Sequence, residues 1–280
     1  MKFIFLPLIS IPVFSFSQIN IKGIICNSKR EPLPFTNIVS IKKQNGTTTD
    51  VNGAFQLNNL NKNDSLKISN IACYSKLIPV EVLEKNDTIF LEENIKTLDE
   101  VLLTNFESLK IEEDLGFINF KNNASFDLKP GGQIAVFIEN KKRRKGWIKE
   151  VSFKAKTGGK CKCDIRLRLI QPDFSGTKPG LDLLTENVII NSNDLKRTNR
   201  INLSSYKILM PKNGVFVGLE WLSSDEKCDK NEFTNILGNM AMATNLVWLN
   251  YRDKDWNHDY RPKVPNGNYM TPNIGIKVAY

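Results

Sequence analysis

Gly46-Thr47-Thr48-Thr49-Asp50-Val51-Asn52-Gly53-Ala54-Phe55-Gln56-Leu57 is the stretch on which the fold turns. A Thr-rich run suits a pleated, half-buried surface, and Phe55 and Leu57, two residues apart, place both side chains on one face of a strand. Between these segments Asp50 and Asn52 offer short polar side chains that bond nearby backbone amides, and Gly53 accepts a positive φ. The reading is strand, tight turn, strand. Calcium binding by Asp50 and Asn52 is the competing use, and one carboxylate is too few for a dedicated site.

Outward from this turn the chain alternates with period two, and turn signals break it every eight to twelve residues, the pattern of sandwiches and barrels. Ile19/Ile21, Ile38-Val39/Ile41, Leu66/Ile68, Leu77/Val80/Val82 and Ile89/Leu91 mark further short strands. Helical patterning is weak. Leu98 to Lys110 allows a turn or two and Asn231 to Met242 a short helix.

Ile21-Lys22-Gly23-Ile24-Ile25, Pro32-Leu33-Pro34-Phe35-Thr36-Asn37-Ile38 and the Gly46–Leu57 block together resemble the carboxypeptidase-regulatory-like (transthyretin-like) domain abundant in exported proteins of Bacteroidetes. The likeness covers about residues 19–92 and continues through Leu66 to Tyr74, with Cys73 where the family usually has glycine. It implies a β-sandwich that is an appendage and holds no catalytic zinc ligands. Thr97-Leu98-Asp99-Glu100-Val101-Leu102-Leu103-Thr104 resembles the segment that follows this domain in TonB-dependent outer-membrane receptors. Here too little chain follows for a plug and barrel, so transport is not expected.

Gly132–Val136, Gly146–Phe153, Asp164–Leu169, Pro179–Ile189 and Gly214–Leu222 read as strands of a second, larger domain. Their order is similar to a C-terminal domain that accompanies this module in many Bacteroidetes proteins, a resemblance that implies architecture and location but no activity. Asn273 to Tyr280 reads as its closing strand, with Thr271 and Pro272 just before it.

The N-terminus stands apart. Met1-Lys2, an apolar run from Phe3 to Phe14 and Ser15-Phe16-Ser17 form a secretory signal with cleavage after Ser17. Even extended to Ser17 the stretch is 15 residues, too short to span a hydrocarbon core of ~30 Å. No cysteine sits where lipidation would need one, and Cys26 falls inside a strand-like stretch. An oxidising compartment accommodates the five cysteines, of which at least one has no intrachain partner. Cys161 or Cys163 bridged to Cys228 is one use; buried free thiols are the other. No fourth ligand is spaced for a zinc site.

With 280 residues and 41% hydrophobic content the chain has the composition of about two globular domains. Its charge is unevenly spread. Residues 18–104 carry ten basic and ten acidic side chains, whereas Lys129 to Arg168 carry thirteen basic and three acidic ones. The run Lys141-Lys142-Arg143-Arg144-Lys145 between two strands reads as a solvated hairpin tip, or as a contact for an anionic polymer or surface. Nucleic acid is not expected, because no stacking aromatics are distributed along the patch.

Trp221 and Trp248 lie in apolar runs and read as core, while Tyr251, Trp256 and Tyr260 are candidates for a sugar-stacking surface. The single histidine, His258, reads as a solvated loop residue. The sequence has no Gly-x-Ser-x-Gly elbow, phosphate loop or dinucleotide fingerprint, so no catalytic, cofactor or metal residues are assigned. A hydrolase would need carboxylates that converge in space, for which Glu220, Asp253, Asp255 and Asp259 are the candidates.

The expectation is an all-β chain: a signal peptide over residues 1–17, a transthyretin-like β-sandwich over 18–94, a linker over 95–112 and an antiparallel jelly-roll-like β-sandwich over 113–280. The expected function is an exported, non-catalytic envelope protein, periplasmic, outer-membrane-associated or extracellular. It binds another envelope protein, a polysaccharide or an anionic surface; a hydrolase in the second domain is the alternative.

Overall fold

The structure is a computed structural model that describes residues 19–43, 45–94, 111–127, 129–156, 163–222, 235–252, 255–258 and 267–280. The signal segment, the receptor-like segment 97–104, and Cys161, Cys228, Asp253, Asp259 and Tyr260 lie outside the described residues.

The described residues of the first domain form seven strands: β1 (Ile19–Asn27), β2 (Asn37–Ser40), β3 (Gly46–Thr48), β4 (Ala54–Leu60), β5 (Ser65–Ser69), β6 (Lys76–Pro79) and β7 (Thr88–Leu91). They form a three-stranded sheet, β4-β1-β7, and a four-stranded sheet, β3-β2-β5-β6. Alternate side chains meet between the sheets. Phe55, Leu57, Ile68 and Val80 are all buried there, with Ile25, Ile38, Leu66 and Leu91. The turn that decides the fold forms as its residues require. The Asp50 carboxylate accepts the amides of Asn52 and Ala54, each at 2.9 Å. Gly53 has φ 73°, and a Cβ there would come within 2.6 Å of the Ile25 carbonyl oxygen, so glycine is required twice over.

One strand of the sequence reading is split. Leu77 lies in β6, but Val80 and Val82 belong to a short helix, α1 (Val80–Leu83). Pro79 has no N–H with which to extend the ladder and stands before the helix in an extended conformation. Only Val80 of these three points inward; Leu77 and Val82 are exposed.

The second domain begins with β8 (Glu112–Gly116) and β9 (Ala124–Phe126), followed by β10 (Gly132–Glu139), β11 (Gly146–Lys156), β12 (Ile165–Pro172), β13 (Pro179–Asp182) and β14 (Val188–Ile190). Then come β15 (Thr198–Asn202), β16 (Ile208–Met210), β17 (Gly214–Trp221), β18 (Asn235–Met242), β19 (Val247–Tyr251), β20 (Tyr269–Pro272) and β21 (Ile274–Ala279). One sheet runs β13-β12-β17-β10-β19, with β14 on β12. The other runs β20-β18-β11-β21-β8, with β15 and β16 on β11 and β9 on β18. Neighbours are mostly distant in sequence and antiparallel, so connections pass between sheets, as in jelly rolls. Ile134, Val136, Leu167, Leu169, Val217, Leu219 and Trp221 from the first sheet pack on Val151, Phe153, Ile274 and Ile276 from the second.

One expectation about this domain changes. Asn235–Met242 is a strand, not a helix: Ile236 pairs with β9 and β11 and Gly238 with β9 and β20, and ladder pairing overrides a weak helical pattern. Pro272 ends β20 and, as expected, stands just before the closing strand. β20 is at a sheet edge, where a missing N–H is tolerated. The closing strand β21 is paired on both sides, by β11 and by β8. No helix among the described residues is long and apolar enough to cross a membrane.

Candidate functional site

Strand alternation sends half of the β12-β17-β10-β19 residues away from the main core. Because the registers align, these outward residues form rows. Arg166, Glu220, Gln133 and Asn250 lie side by side in one row, and Arg168, Gly218, Ala135 and Trp248 in the next. Ile170, Phe216 and Phe137 make the third. A polar end and an aromatic end thus share one sheet face, and the first domain covers the polar end.

That cover is held by a buried network. Arg166 Nε donates to Glu220 Oε2 at 2.8 Å, and both side chains are almost wholly buried. Asn37 of the first domain donates to Glu220 Oε1 at 2.8 Å, and Gln133 donates to the same oxygen at 3.1 Å. Arg166 also reaches the Phe35 carbonyl at 2.8 Å and Asn187 Oδ1 at 3.0 Å. Phe35 has φ 54°, a left-handed conformation uncommon for its residue type, which aims that carbonyl across the domain boundary. Burial raises the cost of charge on Glu220, but Arg166 and Arg168 more than offset it, and its carboxyl is held below the usual range.

Arg168 is the less buried partner. Its guanidinium grips Asp182 at two points, 3.0 and 2.6 Å, and also donates to Gln133 Oε1. Gly218, opposite Arg168, leaves room for this reach, since a Cβ there would sit 3.2 Å from Arg168 Cβ. Gln133 therefore accepts from one arginine and donates to the carboxylate paired with the other.

Between the domains this face opens into a cleft of about 520 Å³, lined by Ser69, Asn70 and Tyr74 on one side and Arg168, Asp182 and Trp256 on the other. Trp256 is half-buried, packed on Ala135, Ile170 and Phe216, with the Arg168 guanidinium 5.8 Å from its ring centre. An adjoining groove of about 840 Å³ is lined by Ser40, Lys67, Trp248, Trp256, Asn257 and His258, among others.

Of the aromatic candidates, Trp256 lines both spaces. Tyr251 is exposed at the end of β19, with Arg252 5.3 Å above its ring, and lines neither. Trp221 is core, whereas Trp248 packs on the outer face of the sheet beside Phe216. His258 is not a solvated loop residue. It stacks on Trp248 at 4.4 Å, and its Nε2 lies 3.0 Å from the Asn245 carbonyl. Alternation along Val247–Tyr251 places Trp248 opposite Val247 and Leu249, so an apolar run alone does not assign its face.

Lys141–Lys145 are all exposed. They do not cap a hairpin: β10 and β11 belong to different sheets, and the run is a crossover at the sandwich's end. Lys142 pairs with Glu113 at 2.7 Å and lies 4.6 Å from the Tyr280 ring centre. Asn140 bonds the Pro211 carbonyl at 3.0 Å and brings the 211–213 turn, with Lys212, alongside. The basic loop follows the Glu139 end of β10, whereas the cleft floor of Arg166 and Glu220 lies beside Gln133 at its other end, and none of Lys141–Lys145 lines either space. The structure therefore does not bring the two candidate surfaces together.

Cys163 is a buried free thiol, hydrogen-bonded to the Leu222 carbonyl; burial, with Asp164 and Glu220 nearby, pushes its pKa up to about 12. Cys26 and Cys73 are also buried and free. Among the described residues no three His, Cys, Asp or Glu side chains are grouped to hold a metal.

Sequence reasoning missed Arg166, Arg168, Gln133, Asp182 and Asn37. A signal existed for the arginines: in Ile165-Arg166-Leu167-Arg168-Leu169 two charges alternate with core residues, which marks a covered polar face.

Residues 21–103 match the model of the CarboxypepD_reg-like domain family, which fits the first domain's sandwich. That domain is a general β-sandwich module and not a catalytic one. No curated protein matches the chain.

Proposed function

We propose that the protein is an exported, non-catalytic binding module of the cell envelope, and that the cleft between its two sandwiches is the ligand seat. The supporting observation is the cleft's construction. Its floor is a buried ion-pair network that ties Asn37 and Phe35 of one domain to Arg166 and Glu220 of the other. Its walls present a half-buried aromatic ring and a fixed Arg168–Asp182 pair. A floor fixed in this way presents the walls preorganised, which lowers the ordering cost of binding. Export rests on the signal segment at residues 1–17.

The hydrolase alternative loses one of its carboxylates. Glu220 is buried, ionised and committed to Arg166, Asn37 and Gln133, so it has no proton to give as a general acid. Asp255 is exposed beside the cleft.

The test immobilises the whole chain and challenges it with envelope and culture-supernatant extracts. Wild type should retain extract material that Trp256→Ala and Tyr74→Ala lose. If both variants retain everything that wild type does, the cleft is not the seat.

A further inference from the structure

Three strands of one sheet in the second domain stop level with one another. Ile170, Phe216 and Phe137 share a row; two residues further on, β12 ends at Pro172, β17 begins at Gly214 and β10 ends at Glu139. The chain after β12 and the chain after β10 therefore leave the same end of the sandwich, about 10 Å apart at the spacing of strands. After β10 comes the basic crossover Lys141–Lys145. After β12 comes a turn, residues 173–178, with Phe174 fully exposed at its tip. We infer that this end of the protein docks on a bilayer containing acidic phospholipid, with the cations against lipid phosphates and the Phe174 ring beneath the head groups. The inference stands apart from the cleft and needs no ligand there.

The first observation is that the basic run is held in place. Buried Asn140 donates to the Arg144 carbonyl at 2.8 Å and to the Pro211 carbonyl at 3.0 Å, and accepts from the Tyr280 hydroxyl at 3.0 Å. Its own carbonyl accepts the Arg143 amide at 2.9 Å. One side chain thus fixes the loop's backbone and sets the Lys212 turn beside it, while the cationic side chains stay exposed.

The second is charge. Of the acids at this end, Glu113 is paired with Lys142 and Glu112 with Lys277. The Asp173 carboxylate accepts from Ser175 Oγ at 2.7 Å and from the Thr177 and Lys178 amides of its own turn. Lys178 itself lines the cleft. Lys141, Arg143, Arg144, Lys145 and Lys212 are left with Glu139 as the remaining acid, and such an excess of cations attracts a surface of anionic head groups.

The third is Phe174, a ring that the fold does not need. Its turn is closed by its neighbours: by the Asp173 side chain, by the Gly176 amide donating to the Asp173 carbonyl at 2.9 Å, and by Gly176 at φ 72°. A polar side chain at 174 would serve this turn equally well and expose less apolar surface. One ring between Asp173 and Ser175 is far less than the area a protein partner buries, and a dissolved polyanion makes no use of it. A membrane interface uses both the apolar wedge and the cations around it.

Vesicle co-sedimentation and fluorescence test this, with the chain lacking residues 1–17, whose apolar run would itself partition into bilayers. The probes are vesicles of phosphatidylcholine alone, vesicles mixed with phosphatidylglycerol, and dextran sulfate as a soluble polyanion. The protein should bind the mixed vesicles and not phosphatidylcholine alone. Phe174→Ser should weaken that binding about tenfold, the loss expected when a phenyl ring no longer leaves water. Phe174→Trp should show a blue shift in emission on mixed vesicles that wild type lacks. Both variants alter a fully exposed side chain and so leave the fold intact. Trp256→Ala, in the cleft, should bind vesicles as wild type does. If Phe174→Ser binds as tightly as wild type, or the Phe174→Trp emission does not shift, the ring does not enter lipid and the inference fails. Equal binding to phosphatidylcholine alone would remove the cations from the contact, and loss of binding in Trp256→Ala would move the contact to the cleft; either overturns it. If wild type binds dextran sulfate but not mixed vesicles, this end meets a soluble polyanion and the bilayer assignment fails.

Discussion

Arg166 and Glu220 stand directly opposite each other on β12 and β17, 2.8 Å apart, on the outward face of a sheet where neither reaches solvent. The first domain supplies the rest of their coordination, through Asn37 and the Phe35 carbonyl. A charged pair is tolerated there because Arg166 Nε and Nη1 and both carboxylate oxygens of Glu220 are hydrogen-bonded. Removing one partner strands the other. Glu220→Leu or Arg166→Met should each cost about 3–5 kcal/mol, and the double variant distinctly less than the two losses combined. Urea unfolding of the three variants measures this. Additive losses would mean that the two side chains do not act as a pair.

Acid should weaken the same seam. The folded-state pKa of Glu220 lies below its ordinary value, so below that ordinary value the unfolded chain binds more protons than the folded one. The stability it contributes is present above the unfolded pKa and is lost as pH falls through the folded pKa. The difference in unfolding free energy between wild type and Glu220→Gln should therefore be largest near neutrality and shrink as the pH falls below about 4. A constant difference across that range would remove Glu220 as the acid-sensitive group.

In the first domain, Phe55→Ala should cost about 3–5 kcal/mol, because a buried ring is deleted from between two sheets that cannot both close on the gap. Denaturant midpoints decide it. A near-neutral result would put Phe55 outside the core.

Much of this fold was legible because strand alternation and turn chemistry are local. The Asp50–Gly53 turn and the inward set Phe55, Leu57 and Ile68 followed from neighbours in sequence. The helix at Val80 hid because Leu77, Val80 and Val82 can be read with either period. Asn235–Met242 hid because strand pairing with β9 and β20 is non-local. The site was legible at Trp256 and, as bare carboxylates, at Glu220 and Asp255. Which outward residues face solvent and which face a second domain depends on docking, and a linear pattern does not encode docking.

Cys163 should be inert in the folded protein. Its thiol is buried, bonded to the Leu222 carbonyl and held protonated up to about pH 12. The thiolate is the reactive form, so alkylation under native conditions should follow global unfolding rather than exposure time. Mass spectrometry of iodoacetamide adducts, with and without denaturant, reads this at Cys163 directly. Rapid native labelling would show that the β12 end of the sheet opens on its own.

The basic loop should behave independently of the cleft. It lies at the other end of β10, and its five cations are exposed, so they add little to stability and are free to meet an anionic surface. Lys142 differs from its neighbours: it is tethered to Glu113 and Tyr280 and serves partly to hold the C-terminal strand. Replacing Lys141, Arg143, Arg144 and Lys145 with glutamine, while Lys142 is kept, should leave the unfolding midpoint within about 0.5 kcal/mol of wild type. It should also leave ligand binding in the cleft unaltered. If the loop contacts anionic envelope lipid, wild type should sediment with vesicles containing acidic phospholipid at low salt. It should be released as the Debye length shrinks from about 10 Å at 0.1 M salt to about 3 Å at 1 M, and the glutamine variant should not sediment at either salt level. Equal sedimentation of wild type and variant would mean that the run is only a solvated crossover between the two sheets.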